Sequence, residues 1–246
     1  MPRISADMKN SNITVIAVGG SLIVPHLSDS GGIDVSFLKR FRDFLLKETK
    51  KGRQFVVVAG GGRTARLYCR AASEVTKVSD WNLHWLGIHA TMLNAHLLQT
   101  LFMKEAHEWI IDEEISSKKA KELLRSKKKV YIASGWRPGP STDHVAVRLA
   151  ERFGAKDVII AGDTPYVYDK DPRKFKNAKP ILDMKWADYQ DIVPRTRKAN
   201  DSAPVDPIAT KLAKKLKLEV RLIRGTNMKN FASAIEGKKF TGTIIR

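Results

Sequence analysis

Cysteine is nearly missing from this chain: Cys69 is the single one among 246 residues. One thiol excludes an intramolecular disulfide, and its scarcity points to a reducing, cytoplasmic setting. Long apolar runs are missing as well. No stretch approaches the ~18 residues of a membrane-crossing helix. The first twelve residues are polar and lack the apolar segment of a secretory leader. Internal repeats and low-complexity linkers are absent. Aromatic residues make up only 8%, and none interleave with the basic runs as they do in single-strand binders. The six histidines show no metal-ligand spacing; His84, His89 and His96 share one helical stretch without a cysteine, which argues against zinc. Acid is the other deficit, with 26 Asp+Glu against 44 Lys+Arg and a net charge of +18.

Such a surface attracts anions: nucleotides, nucleic acid or an anionic membrane. The densest basic run covers 118–129, with others at 173–179, 195–198 and 211–221. These read as a solvated basic surface, with non-specific nucleic-acid affinity as the alternative. The chain is 43% apolar, enough for a buried core. Its length suits one α/β domain over 13–246 behind a polar tail over 1–12.

Apolar β-branched runs at 13–18, 55–59, 130–133, 158–161, 220–223 and 243–245 read as strands. Helical periodicity falls between them: 34–45 behind an Asp34 cap, 63–73, 83–107, a helix ending at Gly154, and one opened by Asp206-Pro207. Alternating strands and helices imply a three-layer α/β/α sandwich around a mostly parallel sheet of about eight strands.

Ligands of such sheets sit at the carboxyl ends of the strands. Four turns fall there in fixed order: Gly19-Gly20-Ser21, Gly60-Gly61-Gly62, the segment from Gly135 to Asp143, and the segment from Tyr166 to Pro172. Glycines between a strand and a helix bare backbone N–H groups at the positive end of the helix, where phosphate binds. Several such turns on one edge suggest a substrate with many phosphates, or two substrates.

The order Gly-Gly-Ser, Gly-Gly-Gly-x-x-x-Arg, Pro-Gly-x-Ser-Thr-Asp, Tyr-x-x-Asp-Pro and Asp-Pro-Ile-Ala-x-Lys resembles the amino acid kinase superfamily. Within it, the chain is most similar to uridylate kinases of the archaeal type. The resemblance implies transfer of the γ-phosphoryl group of Mg²⁺-bound ATP to UMP. It implies an ATP side of Gly20, Ser21, Gly62, Arg66, Gly162, Asp163, Tyr168 and Asp171. It implies a UMP side of Gly61, His84, Trp136, Arg137, Pro138, Gly139, Pro140, Ser141 and Thr142, with Ser141 and Thr142 donating hydroxyls to the phosphate. Catalysis would fall to Lys211, Asp143, Asp206 and Arg66. A homohexamer built from dimers is the assembly that the resemblance implies.

Each assignment has a plainer alternative. Asp206 would serve as a helix cap alone, Lys211 as a surface lysine, Arg66 as a partner of Glu74, and Trp136 as packing. The chain also departs from the pattern. Ala17 stands where many members carry a lysine, His84 and Met92 where an aspartate and an arginine are usual, and Asp163-Thr164-Pro165 where the turn begins with asparagine. Two rival readings follow: a kinase for another small anionic acceptor, and a catalytically weak anion-binding relative.

Overall fold

A computed structural model describes residues 12–26, 32–193 and 203–246. The basic run at 195–198 and almost all of the polar tail lie outside the described residues. Four apolar runs become parallel neighbours in the sheet, with β3 at its edge: β1 (Ile13–Val18), β2 (Gln54–Ala59), β3 (Val130–Ala133) and β4 (Asp157–Gly162). β8 (Glu219–Arg224) extends them in parallel, and β9 (Gly242–Ile245) returns antiparallel to β8. Two short pieces precede these: β5 (Val167–Tyr168) pairs with β6 (Pro180–Ile181) as a ribbon, and β7 (Asp183–Met184) joins the edge beside β9. The sheet order is β3-β2-β1-β4-β8-β9-β7. The main sheet therefore has seven strands rather than eight, with the ribbon separate.

Helices cover both faces. α2 (Val35–Lys50) and α4 (Asp80–Phe102) lie on one side with α9 (Met228–Ile235). The other side carries α5 (Ser117–Arg125), α6 (Thr142–Phe153), α7 (Trp186–Ile192) and α8 (Pro207–Leu216). Two short-range helices sit at the strand ends: α1 (Gly20–Ile23) and α3 (Gly62–Val75), the latter packed on α4. Strand periodicity divides the core: Val15 and Ala17 pack toward α6, whereas Ile16 and Val18 pack toward α2. Central strands buried on both faces explain the unbroken apolar runs.

The local signals hold where chemistry dictates them. The Asp34 carboxylate accepts the Phe37 N–H at 2.7 Å, capping α2. Gly154 ends α6 in the left-handed conformation at φ 72°. α4 starts at Asp80, behind the Ser79 cap, and ends at Phe102, five residues short of the periodic pattern. A 3₁₀ turn at Met103–Glu105 takes over there.

Candidate functional site

The carboxyl edge gathers the glycine turns into direct backbone contact. A Cβ on Gly20 would lie 2.0 Å from the Gly62 nitrogen, and a Cβ on Gly62 would lie 2.3 Å from the Gly20 carbonyl oxygen. Gly62 also sits at φ +65°. Only glycine permits that approach and that conformation. Gly162 ends β4 beside them, with its carbonyl accepting the Gly225 N–H at 3.0 Å, while Gly19 N–H donates to Ala161 at 2.8 Å. Gly61 turns the other way, toward Gly87 and Ala90 of α4. The two expected sides thus diverge at one peptide: Gly62 faces Gly20, and Gly61 faces α4.

α4 holds the second side in place. His84 Nδ1 accepts the Gly139 N–H at 2.8 Å. One stretch further along the helix, Thr91 Oγ1 accepts the Gly135 N–H at 2.8 Å. Asn94 Nδ2 then donates to the Gly60 carbonyl at 2.7 Å. Accepting at Nδ1 leaves the neutral His84 ring proton on Nε2. Sequence reading missed Thr91 and Asn94. Their signal was present, as two polar side chains three apart on the buried face of an apolar helix.

The segment after β3 curls over this face. Gly139 takes φ +102°. Ser141 caps α6, its Oγ accepting the N–H groups of Asp143 at 3.1 Å and His144 at 3.3 Å. The Ser141 hydroxyl proton goes to the Asp206 carboxylate. Ser141 has one proton to give, and here that hydroxyl is engaged by Asp206. Asp206 is buried and caps α8, accepting Ile208 N–H at 2.7 Å and Ala209 N–H at 3.1 Å. Its plainer reading as a cap is the one the geometry supports. The bond also draws the N-termini of α6 and α8 together, so two positive helix ends share one spot. Asp143 lies in the first turn of α6. Thr142 opens that helix beside Pro140, and both are half-buried. Tyr189 braces the approach to α8, its phenol bonded to both the N–H and the carbonyl of Val205. Burial raises the pKa of that phenol, helped by Asp143 and Asp206.

Trp136 packs against the core on the α6 side, with its indole N–H buried and unbonded. Arg137 reaches Glu114 at 3.9 Å, a carboxylate also shared by Arg148 and Arg152. Pro138 precedes the Gly139 turn and is half-buried.

On the other side, Ser21 lies in α1 beside Gly20. Arg66 stands exposed on α3. Its pKa is lowered by burial of its surroundings and by Arg63, while Asp163 works the opposite way. Asp163 is exposed just after β4, within electrostatic reach of Arg66 but not paired with it, and Glu74 is paired with Arg70 at 2.6 Å. Tyr168 belongs to β5 and meets Tyr166 edge-on, with centroids 6.1 Å apart. Asp171 folds its own turn, binding the Arg173 backbone and guanidinium, which lowers the carboxyl pKa. Lys211 is exposed on α8 and makes no ion pair or hydrogen bond among the described residues. Ala17 is buried in the core. No group of three metal-ligating side chains exists among the described residues.

Glycine-lined strand ends beside converging helix N-termini define an α/β protein built to hold phosphates. The chain belongs to the amino acid kinase family, whose sequence profile matches residues 12–224. It is 31% identical over 232 residues to the uridylate kinase of Thermococcus sibiricus, covering 94% of this chain and 98% of that protein. It is 31% identical over 234 residues to the uridylate kinase of Methanocaldococcus jannaschii, with the same coverage. Its fold matches the crystal structure of uridylate kinase from Archaeoglobus fulgidus at a TM-score of 0.76 and 27% identity. That match covers 95% of this chain and 99% of the other.

Proposed function

We propose that this protein transfers the γ-phosphoryl group of ATP to UMP, giving UDP. The observation that carries the reading is the shared peptide of Gly61 and Gly62, which faces the Gly20 turn on one side and α4 on the other. Relatives named uridylate kinases over nearly the full chain support it. Phosphoryl transfer asks for positioning and charge neutralisation more than covalent chemistry. Gly20, Ser21 and Gly62 would bind the ATP phosphates, with Gly162, Asp163, Tyr168 and Asp171 toward the nucleoside. Gly61 and the 136–142 segment would hold UMP. Arg66 and Lys211 are the free cations for the transferring group. Ser141 and Asp206 act by joining α6 to α8.

Mg²⁺ would arrive with ATP. Mg²⁺ in such sites is held mainly by phosphates and one or two carboxylates. Asp143, in the first turn of α6, is the carboxylate at hand, and the ion would supply neutralisation of phosphate charge.

A homo-oligomer, of hexameric form in this reading, would cover the apolar residues that α3 and α4 leave exposed: Leu67, Tyr68, Val75, Trp81 and Leu93. A cytoplasmic location accords with the lone buried thiol. No described helix is long and apolar enough to cross a membrane.

The test is ADP production measured with UMP, CMP, dCMP and no acceptor. UMP should be the fastest acceptor. ADP release independent of UMP, or a faster non-nucleotide acceptor, would overturn the proposal in favour of one of the rival readings.

A further inference from the structure

The charge of +18 is not spread evenly. α2, α5, α6 and α8 each run from the carboxyl edge of the sheet back to its amino edge, and then turn into β2, β3, β4 and β8. Their last turns share one pole, opposite the glycine loops. Every one of those turns carries lysine: Lys50 at the end of α2, Lys127 and Lys128 before β3, Lys156 before β4, and Lys215 and Lys217 at the end of α8. None of these six takes part in an ion pair among the described residues.

Most acids of this pole are matched by other bases; Glu105, beside the start of β3, makes no ion pair among the described residues. Glu48 pairs with Lys51 and Arg53, Glu236 with Lys238, and Asp157 with Arg221. The unmatched exposed acids, such as Asp112, Glu113 and Asp163, lie toward the carboxyl edge. The pole is therefore positive beyond what neutralising its own carboxylates requires.

Backbone conformation marks the same place. Lys127 and Lys217 sit at φ 59° and 53°, in the left-handed region that glycine fills at least cost. Helix termination alone favours glycine there. Two lysines are kept in strained positions where their charge is fully exposed.

We infer that this pole is a docking surface for double-stranded nucleic acid, bound through its phosphate backbone without sequence preference. Shape and composition narrow the partner. The entries of β3 and β8 stand four strand spacings apart, about 19 Å. A duplex lying along that row presents roughly eleven phosphates. Among the described residues, the exposed rings Tyr68, Trp81 and Phe175 lie on α3, α4 and the β5–β6 connection, so these residues give the pole no platform for stacking single-stranded bases. Met103 is the large exposed apolar side chain near it, too little to insert into a lipid surface. The surface is remote from the glycine loops, so the proposal does not depend on the acceptor.

The experiment measures fluorescence anisotropy of a labelled two-turn RNA duplex, and of the matching DNA duplex, with the full chain over a salt series. The parent should bind both, with affinity falling steeply as salt rises. The double variant Lys127→Gly, Lys217→Gly should bind about tenfold more weakly, with a log–log salt slope shallower by about two. It should melt no lower than the parent, because glycine suits both conformations. A control with the same charge change on the outer face of α2, Lys39→Gln with Arg40→Gln, should bind like the parent. No duplex binding by the parent, an equal loss in both double variants, or binding confined to single strands or anionic vesicles would overturn the proposal.

Discussion

Asp206 shows how one residue type resolves into a role only through its neighbours. A carboxylate before a proline reads equally as a cap or as a catalytic acid. The structure gives it two backbone N–H groups and the Ser141 hydroxyl, 65 positions away in sequence. Asp-Pro at a helix start was legible because its partners lie within three residues. The Ser141 link was not, because it is long-range. Asp163, exposed just after the Gly162 that ends β4, would put a negative charge near incoming ATP phosphate. Asp163→Asn should therefore tighten ATP binding by about 1 kcal/mol, the scale of one exposed charge at contact distance. Titration calorimetry at several Mg²⁺ concentrations checks it. Weaker binding in the variant would make Asp163 a ligand of the metal or the ribose, and no change would place its side chain outside the site.

Among the elements, α4 contributes most to the site, though it carries none of the glycine motifs. Its periodicity made the helix visible, and its apolar face suggested a core helix. That face also carries His84, Thr91 and Asn94, each bonded to the backbone of a different loop glycine. Polar residues on a buried face hint at such bonds, but their loop partners are distant in sequence, so the ladder is seen only in three dimensions. Thr91→Val keeps the shape but strands the buried Gly135 N–H, and should cost about 1–3 kcal/mol in urea unfolding. His96→Gln, on the exposed face of the same helix, should stay within about 0.5 kcal/mol. Equal effects would mean that the ladder contributes nothing specific. The two-residue strands β5, β6 and β7 were invisible for another reason: they are too short for period-two alternation, and their partners are distant.

For the whole molecule, the central parallel strands and the covering helices were readable from apolar runs alone, since burial on both faces leaves no polar alternation to confuse them. The count of strands was not, because the sheet edge is built from fragments. Stability of the assembled sandwich should also depend on His144. The ring is buried in α6 and its Nδ1 is unbonded. Burial lowers its pKa, with Arg148 and Arg137 acting in the same direction and Asp206 against it. At neutral pH the ring is neutral folded and unfolded. Below about pH 6.5 the unfolded chain binds the proton first, so stability declines as pH falls toward the folded value. The parent should lose melting temperature between about pH 7 and pH 5 more steeply than His144→Leu. Parallel declines would show that the ring does not titrate in this range.

β9 has a consequence for how the chain is made. Thr243 Oγ1 accepts the Val167 N–H at 2.9 Å and donates to the Ile181 carbonyl, while Arg246 exchanges backbone bonds with Met184 and Trp186. The last few residues thus hold the ribbon and β7 to the sheet. During synthesis, β1 to β4 and their glycine loops can assemble before β9 has been made. The Tyr168 side cannot, because its anchor in β9 is translated after them. A nascent chain would therefore complete one half of its phosphate edge well before the other.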